Sequence, residues 1–470
     1  MTLIILSILS IIILFLSLRK DGIILKKKKG ENQGFSFSKY AWSQFKKNKI
    51  ALISLYVLAL MVIVAIFAPQ IANDKPLYAV YKGKTIYPAL HDLPFGKGEA
   101  KYEISEEEII EFNNMTSFDW RTLKYESVIW PLITYSPKTQ DPYNRDYKSP
   151  NSSQKYMDHN GKETESPFKF RHHLGTDLLG RDLASGLIHG TRTALKVGII
   201  SMGIASLFGI LLGALAGFFG DRRLKMKRSK YYFSFLGIFL GLFYAWRPYE
   251  ITMGLNKGIN SGLLEMSISL LILISIFISL RILSKKLPGK FFNKEISVPV
   301  DSFVSRGIEL LNSIPRILLI ITVTAVQKEP SLNVVMVIIG LTSWTGIARF
   351  TRAELLRIRN LEYISASNAL GFSSIRTIFK HALPNALAPV FVSIAFGIAS
   401  AILIESSLSF LGIGVPADEV TWGGLLNLGR LYHEAWWLII YPGIAIFITI
   451  TVYNMIAEAA RDALDPKLKS

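Results

Sequence analysis

Long apolar runs separated by basic loops constrain this chain more than any other feature. Runs of about 17 or more apolar residues recur along its 470 residues, and 50% of all residues are hydrophobic. A run of that length can cross the hydrocarbon core of a bilayer as a helix. The sequence therefore predicts a polytopic membrane protein that also has one water-facing segment of domain size.

We expect nine transmembrane spans. They lie at residues 2–18, 51–71, 193–219, 231–246, 263–280, 308–326, 332–347, 386–411 and 436–456. Removing the pair between residues 231 and 280 would leave the order of basic and non-basic loops unchanged, so that order alone does not establish the pair. Positive charges follow the first run instead of preceding it, which favours an uncleaved anchor over a secretory signal.

The distribution of Lys and Arg sets the expected orientation. Basic loops occupy residues 19–49, 221–230, 281–306 and 346–384. By the positive-inside rule these loops are cytoplasmic, which places the N-terminus outside and the C-terminus in the cytoplasm. The segment 73–189 and the loop 412–435 then face outside. Because the net charge of +18 follows from these loops, no nucleic-acid partner is predicted.

The composition also excludes several kinds of chemistry. The chain contains no cysteine, which rules out disulfides, cysteine-ligated metals and cysteine nucleophiles. It has no Walker A pattern, so any ATP hydrolysis must come from a partner. We therefore predict neither an enzyme nor a bound cofactor.

The polar segment Ala366–Asn385, ASNALGFSSIRTIFKHALPN, interrupts the apolar runs. Upstream, an apolar stripe at helical spacing comprises Leu355, Ile358, Leu361, Ile364 and Ala366. Gly371 interrupts it, and a second helix over residues 373–382 is expected to present Ile375, Ile378 and Phe379 on one face, with Pro384 ending it. Such an elbow could rest on lipid or dock into a groove of a soluble partner, and periodicity does not separate these readings.

A second polar motif, HLGTDLLGRD, precedes the third span. Its key residues are Gly175, Thr176, Asp177, Gly180, Arg181 and Asp182. Only Thr176, Asp177 and Asp182 offer side-chain oxygens, which is too few for a calcium or magnesium loop, and Arg181 would repel a cation. We expect a tight turn in which Arg181 pairs with Asp177 or Asp182. The neighbouring pair His172–His173 is not expected to hold a metal either.

Two acidic residues fall in or near the predicted spans. Glu309 is expected near the cytoplasmic end of its span, where it can pair with Arg306. Glu405 lies near mid-span and is a candidate for the transport pathway, because ionisable groups inside membranes are often functional. The alternative for Glu405 is a hydrogen bond with Ser406 or Ser409.

The aromatic residues of the segment 73–189 allow two interpretations: they form a small core of this segment, or they help to dock an external partner. We favour the core. These residues are Tyr78, Tyr81, Tyr87, Phe95, Tyr102, Trp120, Tyr125 and Trp130.

The elbow resembles the EAA signature of permease subunits of ABC importers. The matching residues are Ala366, Ala369, Leu370, Gly371, Ile378, His381, Leu383, Pro384 and Asn385. In that family the elbow fits a cleft on the ATPase subunit, so the resemblance implies an ATPase-coupling site here. Ser365 stands where the family has its leading Glu, and Ser367 where it has Ala. A charged contact to the ATPase is therefore either missing or supplied by Glu362 or Glu354.

Four further stretches resemble the oligopeptide/dipeptide/nickel permease group. They are the motif Gly175–Asp182, the stretch ESSLSFLGIGVP at Glu405–Pro416, the C-terminal ARDALDP at Ala460–Pro466, and the N-terminal FSKYAWSQFKKNKIALISLY. The stretch Ile71–Leu90 resembles the external segment of microcin C-type, or Yej-type, peptide permeases. The resemblance covers residues 35–220 and 298–468, which leaves an insertion between them and an N-terminal anchor.

The resemblance implies an all-α polytopic membrane protein of the bacterial cytoplasmic (inner) membrane. Its core would be that of a type I ABC importer permease, with an N-terminal extra span, a two-span insertion and a long external loop. The expected divisions are an anchor and linker (1–48), a first core span (49–72), an external segment (73–189), a core span (190–220), the insertion (221–300), and the remaining core (301–470) with the coupling loop 346–384.

The resemblance further implies the partners. These are a second homologous permease, two ABC ATPase subunits, an external solute-binding protein, a peptide substrate and membrane lipid. The alternatives are nickel or another small solute within the same importer type, a stand-alone secondary transporter, or a structural membrane protein. A secondary transporter predicts repeated spans with broken helices at the midplane, and no such repeat is visible.

Overall fold

The computed structural model describes residues 37–90, 120–157, 161–286, 290–326, 330–416 and 419–464. The helices are α1 (Phe37–Lys47), α2 (Lys49–Ile71), α3 (Leu183–Phe219), α4 (Arg228–Ala245), α5 (Pro248–Lys257), α6 (Ile259–Leu283), α7 (Lys290–Asn293), α8 (Val300–Ser313), α9 (Arg316–Ala325), α10 (Leu332–Ile358), α11 (Glu362–Ala369), α12 (Ser374–Arg376), α13 (Leu383–Phe410), α14 (Trp422–Leu431) and α15 (Trp437–Leu464). The strands are β1 (Tyr78–Tyr81), β2 (Lys84–Ile86), β3 (Ser127–Ile129), β4 (Lys155–Met157), β5 (Glu163–Glu165), β6 (Lys225–Lys227) and β7 (Glu295–Ser297).

Within the described residues, six helices are long and apolar enough to cross a membrane, or seven if one bent pair counts as a span. The six are α2, α3, α6, α10, the continuous run Ser374–Phe410 and α15. Eight of the nine expected spans fall in this part of the chain, so the expected number is too high by one or two. The run 2–18 lies outside the described residues. The run 231–246 forms α4, but Arg228 and Lys230 in its first turn leave too short an apolar stretch.

The predicted span 308–326 is a broken helix. Helices α8 and α9 meet at an angle of 77°. Between them Ile314 is extended, with φ −98° and ψ 126°, directly before Pro315. Proline clashes with a helical residue before it, which explains why the helix stops at Ser313 and restarts at Arg316. In α8, Glu309 is exposed and its Oε2 lies 2.8 Å from Nη1 of Arg306, as expected.

The contacts divide the chain into two compact units. The first consists of residues 1–197, 405–412 and 417–456, and the second of residues 198–404, 413–416 and 457–470.

The first unit contains the external segment. The predicted fold class was all-α, but this segment contains β-strands. Strands β2, β1 and β3 form an antiparallel sheet in that order, and β4 pairs with β5. The β1–β2 turn places Lys82 and Gly83 at φ +51° and +72°, the positive values that a two-residue type I′ hairpin needs. The fold class is therefore mostly helical, with small sheets added.

Aromatic side chains form a core beside this sheet, which confirms the preferred interpretation for those that take part. Trp120 and Trp130 are buried with Ala79 and Ile86. The partly buried residues packed on them are Tyr81, Leu123, Tyr125, Val128 and Phe170. Phe95 and Tyr102 lie outside the described residues.

The second unit is held together by close helix packing. Gly209, Gly213 and Gly217 recur every fourth residue along α3, where small residues let two helices approach. A Cβ at Gly213 would lie 2.5 Å from the carbonyl oxygen of Ala348 on α10, so the two backbones touch. Ser201 adds a hydrogen bond from its hydroxyl to the carbonyl oxygen of Met336, at 2.9 Å.

The insertion is a helical hairpin whose ends are paired. Strands β6 and β7 form an antiparallel ribbon at its base, with Lys225 opposite Ser297. Gly237 and Gly241 of α4 face α6, where added Cβ atoms would lie 3.2 Å from Phe277 and Leu273. At the other end, the Asn333 side chain donates to the carbonyl oxygen of Leu255 at 2.9 Å, which ties α5 to α10.

Candidate functional site

The elbow, residues 359–385, begins where α10 ends and returns into the membrane through α13. Helix α11 closes with two backbone hydrogen bonds, from Phe372 N–H to the Ser367 carbonyl (3.1 Å) and from Gly371 N–H to the Asn368 carbonyl (3.0 Å). This is the Schellman pattern, and Gly371 has the left-handed φ of +75° that it requires. Gly371 thus makes the turn as the sequence predicts, and a Cβ there would meet no heavy atom within 4 Å.

The second half of the elbow differs from the prediction. Helix α12 leads into a π-helical turn, Thr377–Ala382, which continues directly into α13. Pro384 therefore does not end the helix. The Leu383 N–H bonds five residues back to the Ile378 carbonyl, and Pro384 falls in the first turn of α13, where a missing N–H is tolerated.

The π-helical turn also changes which side chains share a face. Ile378 is buried, whereas Ile375 and Phe379 are 68% and 49% exposed. The expectation that these three residues lie on one face is therefore wrong, because the wider turn shifts the register of the helix. In the upstream stripe, Ile364 is buried but Leu361 and Ala366 are exposed.

The buried apolar residues of the elbow belong to one cluster, the elbow-base cluster. Its members are Ala214, Phe218, Leu355, Ile358, Ile364, Ile378, Ala382, Leu383 and Ala386. Polar contacts add to it: the Asn385 side chain donates to the Tyr363 hydroxyl at 3.2 Å and to the His381 carbonyl at 2.8 Å. The ring of His381 stacks on Phe372, with centroids 5.7 Å apart. The two halves of the elbow are thus fixed to each other and to the helices.

We call the exposed apolar residues Leu370, Ile375 and Phe379 the tip of the elbow, in contrast to this buried base. Leu370 is 73% exposed at the turn. Of the other residues predicted for coupling, Ser365, Ala366, Ala369, Gly371 and Pro384 are exposed, His381 is half-buried, and Ile378 and Leu383 are buried. Ser367 is buried and its hydroxyl donates to the Tyr363 carbonyl at 2.9 Å. Glu354 pairs with Arg357 at 2.8 Å, which leaves Glu362 as the exposed acid of α11.

Arg359 ties the start of the elbow to the end of α3. Its Nη1 donates to the Gly217 carbonyl at 3.1 Å, where a cation is favourable at a helix C-terminus. The same atom lies 2.9 Å from where a Cβ of Gly220 would stand. Nearby, Arg352 of α10 makes a bidentate pair with Asp301 at the start of α8. Three helices of the second unit therefore meet at the root of the elbow.

The external motif forms a closed turn. Asp177 accepts hydrogen bonds from the backbone N–H groups of Leu179 and Arg181, both at 2.9 Å, and pairs with Nε of Arg181 at 2.6 Å. Gly175 and Gly180 have φ of +84° and +77°. A Cβ at Gly180 would lie only 2.2 Å from the Asp141 carbonyl oxygen, so that position admits no side chain.

Thr176 and Asp182 connect this turn to its surroundings. The Thr176 carbonyl accepts a hydrogen bond from the Trp437 indole at 3.0 Å. Asp182 accepts from the Ser185 N–H at 2.6 Å and so caps α3. No group of three or more His, Asp or Glu residues suited to a metal ion occurs among the described residues.

Asp182 also belongs to a buried charged cluster that the sequence did not predict. His172 lies between two carboxylates, with Nδ1 2.9 Å from Asp182 and Nε2 3.2 Å from Asp141. Arg121 lies 3.7 Å from Asp141. Burial alone would lower the pKa of His172, but hydrogen bonds to the two carboxylates and their charges outweigh it and raise that pKa. Burial raises the pKa of Asp141, yet His172 and Arg121 together hold it below its usual value.

Glu405 is buried in α13 among hydroxyl groups. Ser409 donates to its Oε1 at 2.6 Å, and Ser406 lies 3.4 Å from its Oε2. These are the partners expected for a structural role.

Two cations of α3 were missed by the sequence analysis, which considered only acidic residues in or near the predicted spans although Lys196 lies inside the predicted span 193–219. Arg192 and Lys196 lie one turn apart and are half-buried. Both interact electrostatically with Glu419 of the loop before α14. The spacing of four residues on an otherwise apolar helix is the signal that could have revealed them.

Comparison with known proteins gives two family matches. Residues 293–470 match the binding-protein-dependent transport system inner membrane component, and residues 36–88 match the N-terminal TM domain of oligopeptide transport permease C. The first match contains the whole elbow. This is a family of transport proteins and not of enzymes.

Individual relatives agree with the family matches. A putative peptide transport system permease protein of Brucella suis is 41% identical over 170 residues, 36% of this chain and 57% of the relative. The dipeptide transport system permease protein DppC of Bacillus subtilis is 28% identical, over 65% of this chain and 72% of its own length. The peptidoglycan transport system permease protein YejE of Agrobacterium fabrum is 25% identical, over 92% and 93%. The chain thus spans little more than half of the Brucella relative but nearly all of YejE.

Proposed function

We propose that this chain, which belongs to the multi-pass inner-membrane permeases of ABC transporters in the oligopeptide/dipeptide group, is one permease subunit of an ATP-driven peptide importer. The observation that carries the proposal is the elbow, an exposed apolar tip on a buried base. A helix that merely rests on lipid does not need its far side locked into the protein core. A coupling element does, because it must transmit force.

In this function the chain supplies half of the pore and none of the ATP chemistry. A second, homologous permease completes the pore, two ATPase subunits hydrolyse ATP, and an external solute-binding protein delivers the peptide. When ATP binding brings the ATPases together, each moves an elbow. Ile364 and Ile378 lie in the elbow-base cluster with residues of α3, α10 and α13, so the elbow and these helices would move together. ATP then favours one of two orientations of the gate.

The proposed topology keeps the N-terminus outside and the C-terminus in the cytoplasm. The elbow and its basic neighbours are then cytoplasmic, where the ATPases are, and the sheets of the external segment face the binding protein. We retain the proposed division of the chain, with an anchor at 1–48, an insertion at 221–300 and a type I importer core. Residues 221–292 of the insertion match neither family model, and the same holds for residues 89–220, which include the core span 190–220.

The substrate class rests on the relatives. Two of those compared carry peptide or dipeptide transport in their names, which favours peptides. The name of the Agrobacterium relative favours a second candidate, peptide-bearing fragments of peptidoglycan. The proposed coupling mechanism is the same for both candidates.

Purification of the tagged chain from its native membrane tests the partners. We expect a second permease and two ABC ATPases to co-purify with it. Replacing the exposed Leu370 and Ile375 of the tip by serine should release the ATPases. Leu310→Ser is the matched control, because Leu310 is 66% exposed on α8 outside the elbow. A chain that purifies alone, even after mild crosslinking, would overturn the proposal, and so would tip variants that bind the ATPases like the control.

A further inference from the structure

A cavity of about 180 Å³ lies at the bend between α8 and α9. Its polar lining comes from Asn312 at the end of α8, Arg316 at the start of α9 and Thr342 of α10. Of the described residues that line it, Arg316 alone carries a charge. Arg316 is exposed, so its guanidinium group is accessible to a ligand.

The cavity lies near the middle of the membrane. Residues 332–348 of α10 carry no charge, and these 17 helical residues extend about 26 Å, close to the thickness of the hydrocarbon core. Thr342 is the eleventh of them. At the same depth, the backbone of Ile314 and Pro315 is not helical. Because lipid offers no hydrogen bonds, irregular backbone occurs at such depth only inside protein or beside a water-filled cavity.

Arg316 has no counter-ion among the residues that the structure describes. The two acidic residues of α8 are engaged elsewhere. Asp301 pairs with Arg352, and Glu309 pairs with Arg306. Because a charged side chain at mid-membrane is costly, such residues usually face a water-filled path and mark the route of a substrate.

Asn312 adds a hydrogen-bond donor to the cavity. The Thr345 hydroxyl donates to Oδ1 of Asn312 at 3.2 Å, which leaves the amide N–H groups for a ligand. A guanidinium group can hold a carboxylate through two parallel hydrogen bonds, and the amide can add a third. The cavity therefore suits a carboxylate group, although it is too small for a whole peptide.

We propose that Arg316 and Asn312 bind the C-terminal carboxylate of the peptide midway through the pore. The proposal rests on the proposed function and identifies where this chain recognises its substrate. The bend at Pro315 opens the site, because a continuous helix would fill the cavity with its own turns. A peptide whose carboxylate is blocked loses the contact with Arg316.

The test is uptake into proteoliposomes that contain the complete transporter. The binding protein is loaded beforehand with trialanine or with trialanine amide. Arg316→Gln should lower the uptake of trialanine about tenfold, as expected for loss of a charge-assisted contact, and should lower that of the amide much less. Arg316→Lys should restore much of the uptake, because it keeps the positive charge. Arg306→Gln is the matched control, since Arg306 is an exposed cation of α8 outside the cavity.

A single cysteine gives a second measurement, because the chain has no natural cysteine. Arg316→Cys should lower the uptake of trialanine like Arg316→Gln. Reaction with aminoethyl methanethiosulfonate, which attaches an ammonium group, should raise the uptake again. Reaction with methyl methanethiosulfonate, which attaches a neutral group, should not. Wild-type transporter treated with both reagents controls for cysteines of the partner subunits.

The proposal is overturned if Arg316→Gln lowers the uptake of both peptides equally or changes neither. It is also overturned if the neutral reagent restores uptake as well as the cationic one, or if the cysteine at position 316 does not react with the water-soluble reagent. Wild-type transporter that takes up neither peptide would instead contradict the proposed function itself.

Discussion

His172 and Asp182 share a hydrogen bond of 2.9 Å although neither side chain reaches solvent. On the opposite edge of the same ring, Nε2 of His172 lies 3.2 Å from the equally buried Asp141. The histidine thus joins the segment that carries Asp141 to the residue that caps α3. Because the helix and the external segment meet at this ring, its protonation affects the stability of the external segment.

The first prediction concerns pH. The folded-state pKa of His172 lies above its ordinary value of 6.5, so its stabilisation is complete below pH 6.5 and is lost as the pH rises through the folded-state pKa. Asp141 has a folded-state pKa below 3.8, so its contribution is complete above pH 3.8 and is lost as the pH falls through the folded-state value. His172→Gln should therefore cost most between pH 3.8 and 6.5, by about 3 kcal/mol.

Thermal unfolding of wild type and variant in detergent, followed across this range, measures the difference. His433→Gln is the control, because His433 is an exposed histidine of the loop between α14 and α15. If the difference in unfolding temperature between wild type and His172→Gln stays constant from pH 4 to pH 9, the ring of His172 is not charged in the folded protein.

The sequence predicts the parts of this fold that depend on local patterns. The apolar runs at α2, α3, α6 and α15 need only length and composition, and they are found close to their expected positions. The two-part elbow was predicted because Gly371 and the helical spacing of its apolar residues are also local features of the sequence. Pro315 in the predicted span 308–326 allows a kink, but no local pattern gives the 77° angle between α8 and α9.

The parts that were missed depend on hydrogen bonds or on distant residues. The π-helical turn before Pro384 changes the face of Ile375, and no apolar periodicity signals such a turn. The contacts of His172 with Asp141 and Asp182 join residues 31 and 10 positions away. The β1–β2 hairpin was not predicted either, although its turn at Lys82–Gly83 is a local feature.

The second prediction concerns the turn of the elbow. A residue with a Cβ is strained at the φ of +75° that Gly371 adopts, but the surrounding space is open. Gly371→Val should cost about 1–2 kcal/mol or distort the turn, and ATPase binding should weaken. Gly371→Asn should retain most of the binding, because asparagine tolerates the left-handed region. Co-purification of the ATPase with each variant measures this. Equal loss with Asn and Val would show that bulk at the interface, and not backbone geometry, is what matters.

The third prediction concerns Glu405. Its carboxylate accepts a hydrogen bond from Ser409, and a glutamine can accept the same bond without a charge. Glu405→Gln should therefore preserve both stability and uptake. Glu405→Ala should cost about 1–3 kcal/mol, because buried hydroxyl groups lose their partner. Melting temperature and peptide uptake are the two measurements. If the glutamine variant folds normally but transports nothing, Glu405 acts in the transport pathway and its role is not merely structural.

The fourth prediction concerns the packing of α3 on α10. Any Cβ at Gly213 would come within 2.5 Å of the Ala348 carbonyl oxygen, and backbone cannot move aside as a flexible side chain can. Gly213→Ala should therefore destabilise the second unit by about 1–3 kcal/mol. Gly203→Ala on the same helix is the matched control, since nothing lies within 4 Å of its Cβ position. There the better helix propensity of alanine should stabilise by up to about 1 kcal/mol. Thermal unfolding of both variants in the same detergent decides the matter: similar melting temperatures would mean that α3 and α10 are not in direct backbone contact.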